Sequence, residues 1–444
     1  MQLPASRTHP VVPLLLLVLL ATGCASVPFD YPRTDSTAMP PTDTTRLGAA
    51  VATWSAAHPN VSGFFPMEGG LDALGARLRL IEQADRSIDA QYFLIKGDVA
   101  GHLFTGKLVR AADRGVRVRF LIDDVFTVDL DPELSLLNSH PNIEVRLFNP
   151  VSRQGFQSLN FLTDFKRANR RMHNKSFTVD NVVTIVGGRN IADEYFQIRT
   201  DVEFTDFDVL AVGPVAAEVS GTFDLFWNSG RAVPMEAFGI EVSDAELDEI
   251  RREVAQDVED TEDGVYAQAV NSRFVADVMN DRIEPYIGPA TVVTDRPEKL
   301  EHPIDDEYKA LAQELRRIIE EARSEVIIVT PYFVPGKEGV AFFSSVRAKG
   351  VRVLVITNSL ASTNHVPVHS GYAPYRKALL EAGIELYEIK VDAMASAPDT
   401  PPGAPDRLTL HTKAIIVDRE IVFVGSLNVD PRSIDINTEM GLFL

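Results

Sequence analysis

Residues 173–190 read HNKSFTVDNVVTIVGGRN, and residues 411–428 read HTKAIIVDREIVFVGSLN. Both are His-x-Lys-x4-Asp followed, after the same six-residue spacer, by Gly-(Gly/Ser)-x-Asn, in a chain with only nine histidines. In a β-strand, residues two apart project from one face, so His173 points with Lys175 and His411 with Lys413. An imidazole can attack or carry a proton near neutral pH, and an ammonium beside it supplies fixed positive charge, a combination suited to a phosphate. Asp180-Asn181 and Asp418-Arg419 read as the turns of two hairpins with returning strands at 182–186 and 421–424. Folding each hairpin about its turn sets Gly187 and Gly188 opposite Asn174 and His173, and Gly425 and Ser426 opposite Thr412 and His411. Gly188 and Ser426 would then let a phosphate oxygen approach the backbone, while Asn190 and Asn428 donate amide N–H groups to it. Asp180 and Asp418 complete the signature, but the seven-residue step from each histidine gives them the opposite strand parity. They are expected to brace the hairpins.

Working outward, the rest of the chain repeats in the same order. LRLIEQADRSIDAQYFLI from Leu78 is echoed by LRRIIEEARSEVIIVTPYFV from Leu315, each a helix running into an apolar strand. RGVRVRFLIDD from Arg114 matches KGVRVLVITNS from Lys349, and NIEVRLFN from Asn142 pairs with GIELYEIK from Gly383. The offsets are nearly constant: 238 from Ala84 to Ala322, 235 from Gly115 to Gly350 and 238 from His173 to His411. Alternating helices and short apolar strands predict an α/β fold of two halves related by a pseudo-twofold axis. Each is a mixed β-sheet flanked by helices, and the active site lies at their interface. The expected divisions are a leader at 1–23, a tether at 24–68, the first half at 69–230, an acidic linker at 231–310 and the second half at 311–444.

The 444 residues exceed one comfortable core, in line with a doubled unit. A formal net charge of -20 argues against a protein that wraps nucleic acid, since a polyanion needs a basic footprint. The N-terminus has one early basic residue, Arg7, then an apolar run at 11–20, then ATGC ending at Cys24, the one cysteine. That run is short for a membrane span and fits the core of a secretory signal; ATGC resembles the bacterial lipobox, which implies cleavage before Cys24 and its acylation. The stretch at 241–263 carries eleven acidic and two basic residues and reads as a solvated helix or linker. His365 and His369 stand at a metal-ligand spacing, but Pro367 between them favours a loop on the substrate side or an ordinary surface loop. Residues 156–171 interleave Phe156, Phe161 and Phe165 with Lys166, Arg167, Arg170 and Arg171. They read equally as a dock for an anionic lipid head group or as a core-facing helix with a basic rim. The Pro- and Ala-rich stretch 392–407 reads as a rim of the site or a plain connection.

The two signatures together resemble those of the phospholipase D superfamily, and their contexts, FKRANRRMHNKSFTVD and TNSLASTNHVPVHSGYAPYRKALLEAGIELYE, resemble its bacterial cardiolipin synthase C branch. The resemblance runs from about residue 69 to the C-terminus and implies a metal-free, cofactor-free transfer in two steps through a covalent phosphohistidine. His173 would be the nucleophile and His411 the acid and base, with the lysines and asparagines stabilising the equatorial oxygens. It also implies a carboxylate on the other ring nitrogen of each histidine: Glu439 matches in the second half, and Asp206, or else Asp208, in the first. The substrates implied are phosphatidylglycerol and a second phospholipid, at a bacterial membrane to which Cys24 would anchor the chain, facing the periplasm or exterior. One monomer would hold a complete site. Hydrolysis of phospholipid, or less readily of nucleic acid, is the alternative activity, and silent head-group binding the alternative to catalysis. Ending at Leu444 is short of what the resemblance implies, so the second half is expected to lack a covering element.

Overall fold

The computed structural model of the chain describes residues 27–153, 164–198, 203–261, 264–280, 282–392 and 407–444. The leader, Cys24, Phe156, Phe161 and nearly all of 392–407 lie outside the described residues. The first sheet contains β1 (Ser62–Met67), β2 (Ser87–Tyr92), β3 (Arg117–Asp123), β4 (Ile143–Phe148), β5 (Ser176–Val179) and β6 (Val183–Gly187). A two-stranded ladder uses β7 (Glu203–Thr205), and the first sheet is completed by β8 (Asp208–Val212), β9 (Ala232–Pro234) and β10 (Tyr286–Gly288). Its order is β10-β1-β8-β6-β5-β2-β3-β4-β9. The second sheet has β11 (Thr291–Thr294), β12 (Glu325–Val329), β13 (Arg352–Asn358), β14 (Glu385–Ile389), β16 (Ala414–Val417), β17 (Ile421–Gly425) and β18 (Met440–Phe443). Its order is β11-β18-β17-β16-β12-β13-β14, so β8-β6-β5-β2-β3-β4 of the first sheet recurs as β18-β17-β16-β12-β13-β14.

The repeat has a local cause in each half. The helix Val99–Asp113 starts where the Asp98 side chain accepts from the Gly101 N–H, and it buries Leu103, Phe104, Leu108 and Ala111 against the sheet. Burial of each large side chain is worth about 1.5–3 kcal/mol. The helix stops at Gly115, whose φ of 94° costs a glycine little; Gly350, with φ 90°, ends the helix Gly336–Ala348 in the same way. Such helices carry the chain back so that β2, β3 and β4 run parallel, as do β12, β13 and β14. The signature hairpins then join as antiparallel pairs, β5 on β2 and β16 on β12. Between the halves, Phe64, Val186, Val209 and Ala211 of the first sheet share one apolar cluster with Val424, Met440 and Leu442 of the second. Parallel pairing of β15 (Leu408–Leu410) with β7 is a second seam.

The segment expected to be a tether is folded from its first described residues onward. The Ser36 N–H donates to Asn228 Oδ1, the Ser36 carbonyl accepts from buried Arg119, and the Ser36 hydroxyl accepts from the Trp227 indole. The helix Arg46–Ala57 follows, and β1 pairs with β8 on one side and β10 on the other. The 231–310 stretch likewise does more than connect: it supplies β10 to one sheet and β11 to the other. Its acidic part forms the helix Asp244–Thr261, which lies on the first half with Asp257 2.5 Å from His102 Nδ1. His365 stands just before a helix, Val366–Tyr372, in place of the expected loop. Pro367 falls in the first turn of that helix, where no N–H is needed. His369 packs on Tyr372 and His365 faces Tyr332; among the described residues no cluster of three or more ligating side chains suits a metal.

Hairpin register differs by one residue from the two-residue turns expected. Asp180 and Asn181 both have positive φ, and the turn closes with Val182 N–H donating to the Val179 carbonyl. Val183, not Val182, then pairs with Val179. Val182 is thus an extra residue, and Glu420 takes the same place after Asp418 and Arg419. The pairing that follows brings Gly187 and Gly425 level with the two lysines.

Candidate active site

The two histidines leave their hairpins at equivalent points and meet the opposite half. The His173 N–H donates to the Thr438 carbonyl at 2.9 Å, and the His411 N–H to the Thr205 carbonyl at 2.8 Å. These main-chain bonds set the side chains against carboxylates. His173 Nδ1 lies 2.8 Å from Glu439 Oε2, and His411 Nδ1 lies 2.5 Å from Asp206 Oδ2. Each imidazole is thereby fixed with Nδ1–H toward a carboxylate and Nε2 free of its proton, the tautomer that nucleophilic attack and base catalysis require. The carboxylates cross: the residue after β7 serves the histidine of the second half, and the residue before β18 serves that of the first. Asp208, the other candidate, instead pairs with buried Arg77 at 2.8 Å and belongs to the core.

Both lysines are buried and bend back on their own motifs. Lys175 Nζ donates to the His173 carbonyl at 2.6 Å and stands 5.3 Å from the Phe93 ring. Lys413 Nζ donates to the His411 carbonyl at 2.5 Å and lies beside the His411 ring, 3.0 Å from Nδ1 and 3.3 Å from Nε2. Burial lowers Lys175 to about 7 and Lys413 to about 8, with Glu439 and Asp206 opposing that fall. Burial first, and the ammonium groups of Lys175 and Lys413 second, hold the His173 imidazole well below its usual range. Burial and Lys413 likewise hold His411 at about 4, against the pull of Asp206. Both rings are therefore neutral at pH 7. The two carboxylates differ. Burial pushes Glu439 up to about 7 despite Lys175 and the hydroxyls of Ser426 and Ser433, whereas His411 and Lys413 outweigh burial at Asp206 and keep it below the usual carboxylate range.

The small residues of the signatures serve those carboxylates. A Cβ on Gly188 would meet Asp206 Oδ1 at 2.3 Å, so glycine there admits the carboxylate. The Ser426 hydroxyl donates to Glu439 Oε2 at 2.5 Å, with Ser433 bonding Oε1. Neither Gly188 nor Ser426 is thus left to cradle a phosphate. Asn190 Nδ2 bonds the Tyr195 hydroxyl at 2.8 Å, and the amide oxygens of both Asn190 and Asn428 are buried without a partner. Tyr195 can donate to an amide oxygen as well as accept from the nitrogen, so turning that amide over presents N–H groups to the site without losing the bond.

Asp180 and Asp418, named in the signature beside the histidines and lysines, sit at the far ends of the hairpins. Asp180 accepts from the N–H groups of Asp85, Arg86 and Ser87; Asp418 accepts from those of Arg323, Ser324 and Glu325. Each clamps the turn between a helix and the first strand of its half. Of the basic run before the first signature, Arg167 bonds Asn149 and Asp164, Arg170 bonds the carbonyls of Lys299 and His302, and Arg171 is buried on Asp123. Lys166 and Phe165 are exposed. Sequence reasoning passed over the rings around the site. Phe93 meets His173 edge-on at 4.8 Å, while Phe204 stacks on His411 at 5.2 Å and Tyr195 meets it edge-on at 5.1 Å. It also passed over Tyr195 and Ser433 as partners of the two signature asparagines. Both stand five residues past the asparagine, at the repeat offset of 238, which is the signal that would have found them.

Two neutral imidazoles, two buried ammonium groups and crossed carboxylates make a site for phosphoryl transfer, and comparison with known proteins agrees. The family model described as "Cardiolipin synthase, PLD-like domain" matches residues 78–227 and again 315–444. Cardiolipin synthase C of Escherichia coli (strain K12) is 41% identical over 402 residues, covering 90% of this chain and 85% of that protein. The chain belongs to the phospholipase D superfamily, near cardiolipin synthase C. It is a phospholipase D-type phosphatidyltransferase. An uncharacterized protein of Helicobacter pylori (strain ATCC 700392 / 26695) is 32% identical over 96% of this chain and 84% of its own. The crystal structure of phosphatidylserine synthase from Haemophilus influenzae Rd KW20 superposes with a TM-score of 0.55 at 14% identity, covering 86% of this chain and 81% of that one, a likeness of fold.

Proposed function

We propose that the chain is a membrane-attached phosphatidyltransferase making cardiolipin from phosphatidylglycerol and a second phospholipid, through a phosphohistidine. His173 Nε2 attacks the donor phosphorus; the bond to the head-group oxygen breaks, and that oxygen takes the proton of a protonated His411. Neutral His411 then removes the proton of the acceptor's primary hydroxyl, whose oxygen attacks phosphorus as the P–N bond breaks and returns His173. The donor phosphate brings a negative charge between Lys175 and Lys413, offsetting the repulsion that, together with burial, keeps His411 unprotonated. Those ammonium groups, with Asn190 and Asn428, stabilise the equatorial oxygens. The observation that carries this reading is the crossed pair of His–carboxylate contacts, which supplies a nucleophile and an acid from one chain, so a monomer suffices. The difference between the carboxylates supports the assignment of roles: ionised Asp206 favours an imidazolium at His411, whereas Glu439 is raised and shared with two hydroxyls.

Both substrates reside in a bilayer, where a lipid anchor on Cys24 would replace a three-dimensional search with local encounter, on the periplasmic or outer face. No helix among the described residues is long and apolar enough to cross a membrane. Purified full-length protein in mixed phospholipid vesicles tests the reading. Cardiolipin is the expected product; phosphatidic acid alone would make the enzyme a hydrolase, and no turnover would make it a binder. His173→Ala and His411→Ala should each abolish turnover.

A further inference from the structure

Beside His173 the two halves bring together positive charge, Arg171 from the first and Arg432 from the second, that the transfer chemistry above does not use. Met172 and Thr438 are bridged in parallel, so alternation puts Arg171 and Asn437 on the face where His173 meets Glu439, one pleat away. Both have a buried polar atom without a partner: Arg171 Nε, in a side chain with no exposed surface, and Asn437 Oδ1. Arg171 is otherwise held by Asp123 at 3.3 Å and by the Asn149 carbonyl at 3.0 Å. The Asn437 N–H bonds the Arg432 carbonyl, closing a single turn of π-helix at Arg432–Ile436, a rare element that recurs at functional sites. The Arg432 guanidinium reaches across the halves to Asn169, 2.6 Å from its Oδ1 and 3.0 Å from its carbonyl. Among the described residues no carboxylate pairs with it. Asp430, the nearest candidate along the chain, instead accepts at Oδ1 from the N–H groups of Arg432 and Ser433. The Arg432 charge is felt at the His173 ring.

An exposed guanidinium held by neutral groups, with an unsatisfied buried arginine N–H in the adjoining segment, is a site for an anion, and turning over the Asn437 amide, whose oxygen has no partner to lose, adds N–H donors. The His, Lys and Asn pairs already account for the phosphorus that reacts. Cardiolipin has a second phosphate, the acceptor's own, one glycerol away from the first. We infer that Arg432, backed by Arg171 and Asn437, binds the phosphate of the acceptor phospholipid, and so favours transfer to an anionic lipid alcohol over water. This rests on the cardiolipin reading above.

The test sets two acceptors against each other in vesicles of donor phospholipid: phosphatidylglycerol, whose alcohol carries a phosphate, and ethanol, which does not. In Arg432→Gln, cardiolipin formation should fall about tenfold and the KM for phosphatidylglycerol should rise, one charge-assisted contact being lost, while phosphatidylethanol formation stays within about twofold. Phosphatidic acid should rise as a share of product, and Arg432→Lys should recover most of the cardiolipin. Equal loss with both acceptors, or no change with either, would overturn the acceptor site while leaving the synthase reading intact. A wild-type enzyme that makes no cardiolipin would overturn both.

Discussion

Asp206→Asn isolates the crossed contact that organises the site. The variant keeps the size of the side chain and an acceptor for His411 Nδ1–H, now 2.5 Å from Oδ2, but removes the charge. At an effective dielectric of about 20, a carboxylate and an imidazolium roughly 4 Å apart attract by about 4 kcal/mol. The amide retains part of the hydrogen bond, so about 2–4 kcal/mol of imidazolium stabilisation is lost, roughly 30- to 1,000-fold in turnover. The loss should fall on the step in which His411 gives up its proton to the leaving alcohol. A donor with a nitrophenol head group needs no such proton, so release of nitrophenol in the first turnover should be nearly as fast in Asp206→Asn as in wild type. The same measurement on Glu439→Gln should remain slow, because in the proposed mechanism Glu439 orients the nucleophile. Stopped-flow absorbance reads both bursts. If Asp206→Asn stayed slow with nitrophenol while Glu439→Gln recovered, the assignment of roles to the two histidines would be reversed; if neither variant lost turnover with the natural donor, the crossed contacts would have no part in catalysis.

Asp180→Ala leaves three backbone N–H groups without their acceptor and should lower stability by about 2–4 kcal/mol, seen as a fall in Tm, with kcat per folded molecule unchanged. Asp418 is held at about 2, because N–H groups of Ser324, Arg323 and Glu325 outweigh burial. Its folded value lies below the unfolded one, so its contribution is present above pH about 4 and is lost as pH falls toward 2; acid unfolding of Asp418→Asn should show a weaker dependence over that window. Sulfate, which does not itself titrate at neutral pH, should inhibit competitively, and its inhibition constant should rise as pH passes through about 7 to 8, where Lys175 and Lys413 give up their protons. Treatment with EDTA should leave turnover unchanged, since every charge in the proposed mechanism comes from side chains.

The doubled fold is legible in the sequence because each half buries the same run of strands. Val118 and Val353, or Ile185 and Phe423, are apolar for the same packing reason, and helix and strand alternate at a nearly constant offset. The His and Lys of each signature are legible for a related reason, since residues two apart in extended backbone share a face, although β5 and β16 begin only after them, at Ser176 and Ala414. What chain distance cannot reveal is which half a side chain faces. The partners of Asp206 and Glu439 are set by the docking of the two sheets, through Thr205 and Thr438, and no local pattern encodes that docking. Register was missed by one residue because Val182 and Glu420 look like strand and turn residues, while two preceding positive φ values make each the extra residue of its loop. The strand β1 was hidden by Pro66, which ordinarily argues against an interior strand. It is tolerated because β10 pairs only as far as Phe64, so no partner on that side asks Pro66 for an N–H. Arg432 was hidden differently: its partner, Asn169, is 263 residues away.

The central claim is that transfer passes through a covalent bond to one histidine. Mixing enzyme with excess donor phospholipid, quenching within one turnover at alkaline pH, where a phosphoramidate survives, and mapping the digested protein by mass spectrometry tests it most directly. A phosphatidyl adduct on the peptide containing His173, formed and consumed at the rate of turnover, is the predicted result. Product formed at full rate with no adduct on any histidine would mean direct displacement by the acceptor, and would contradict the account.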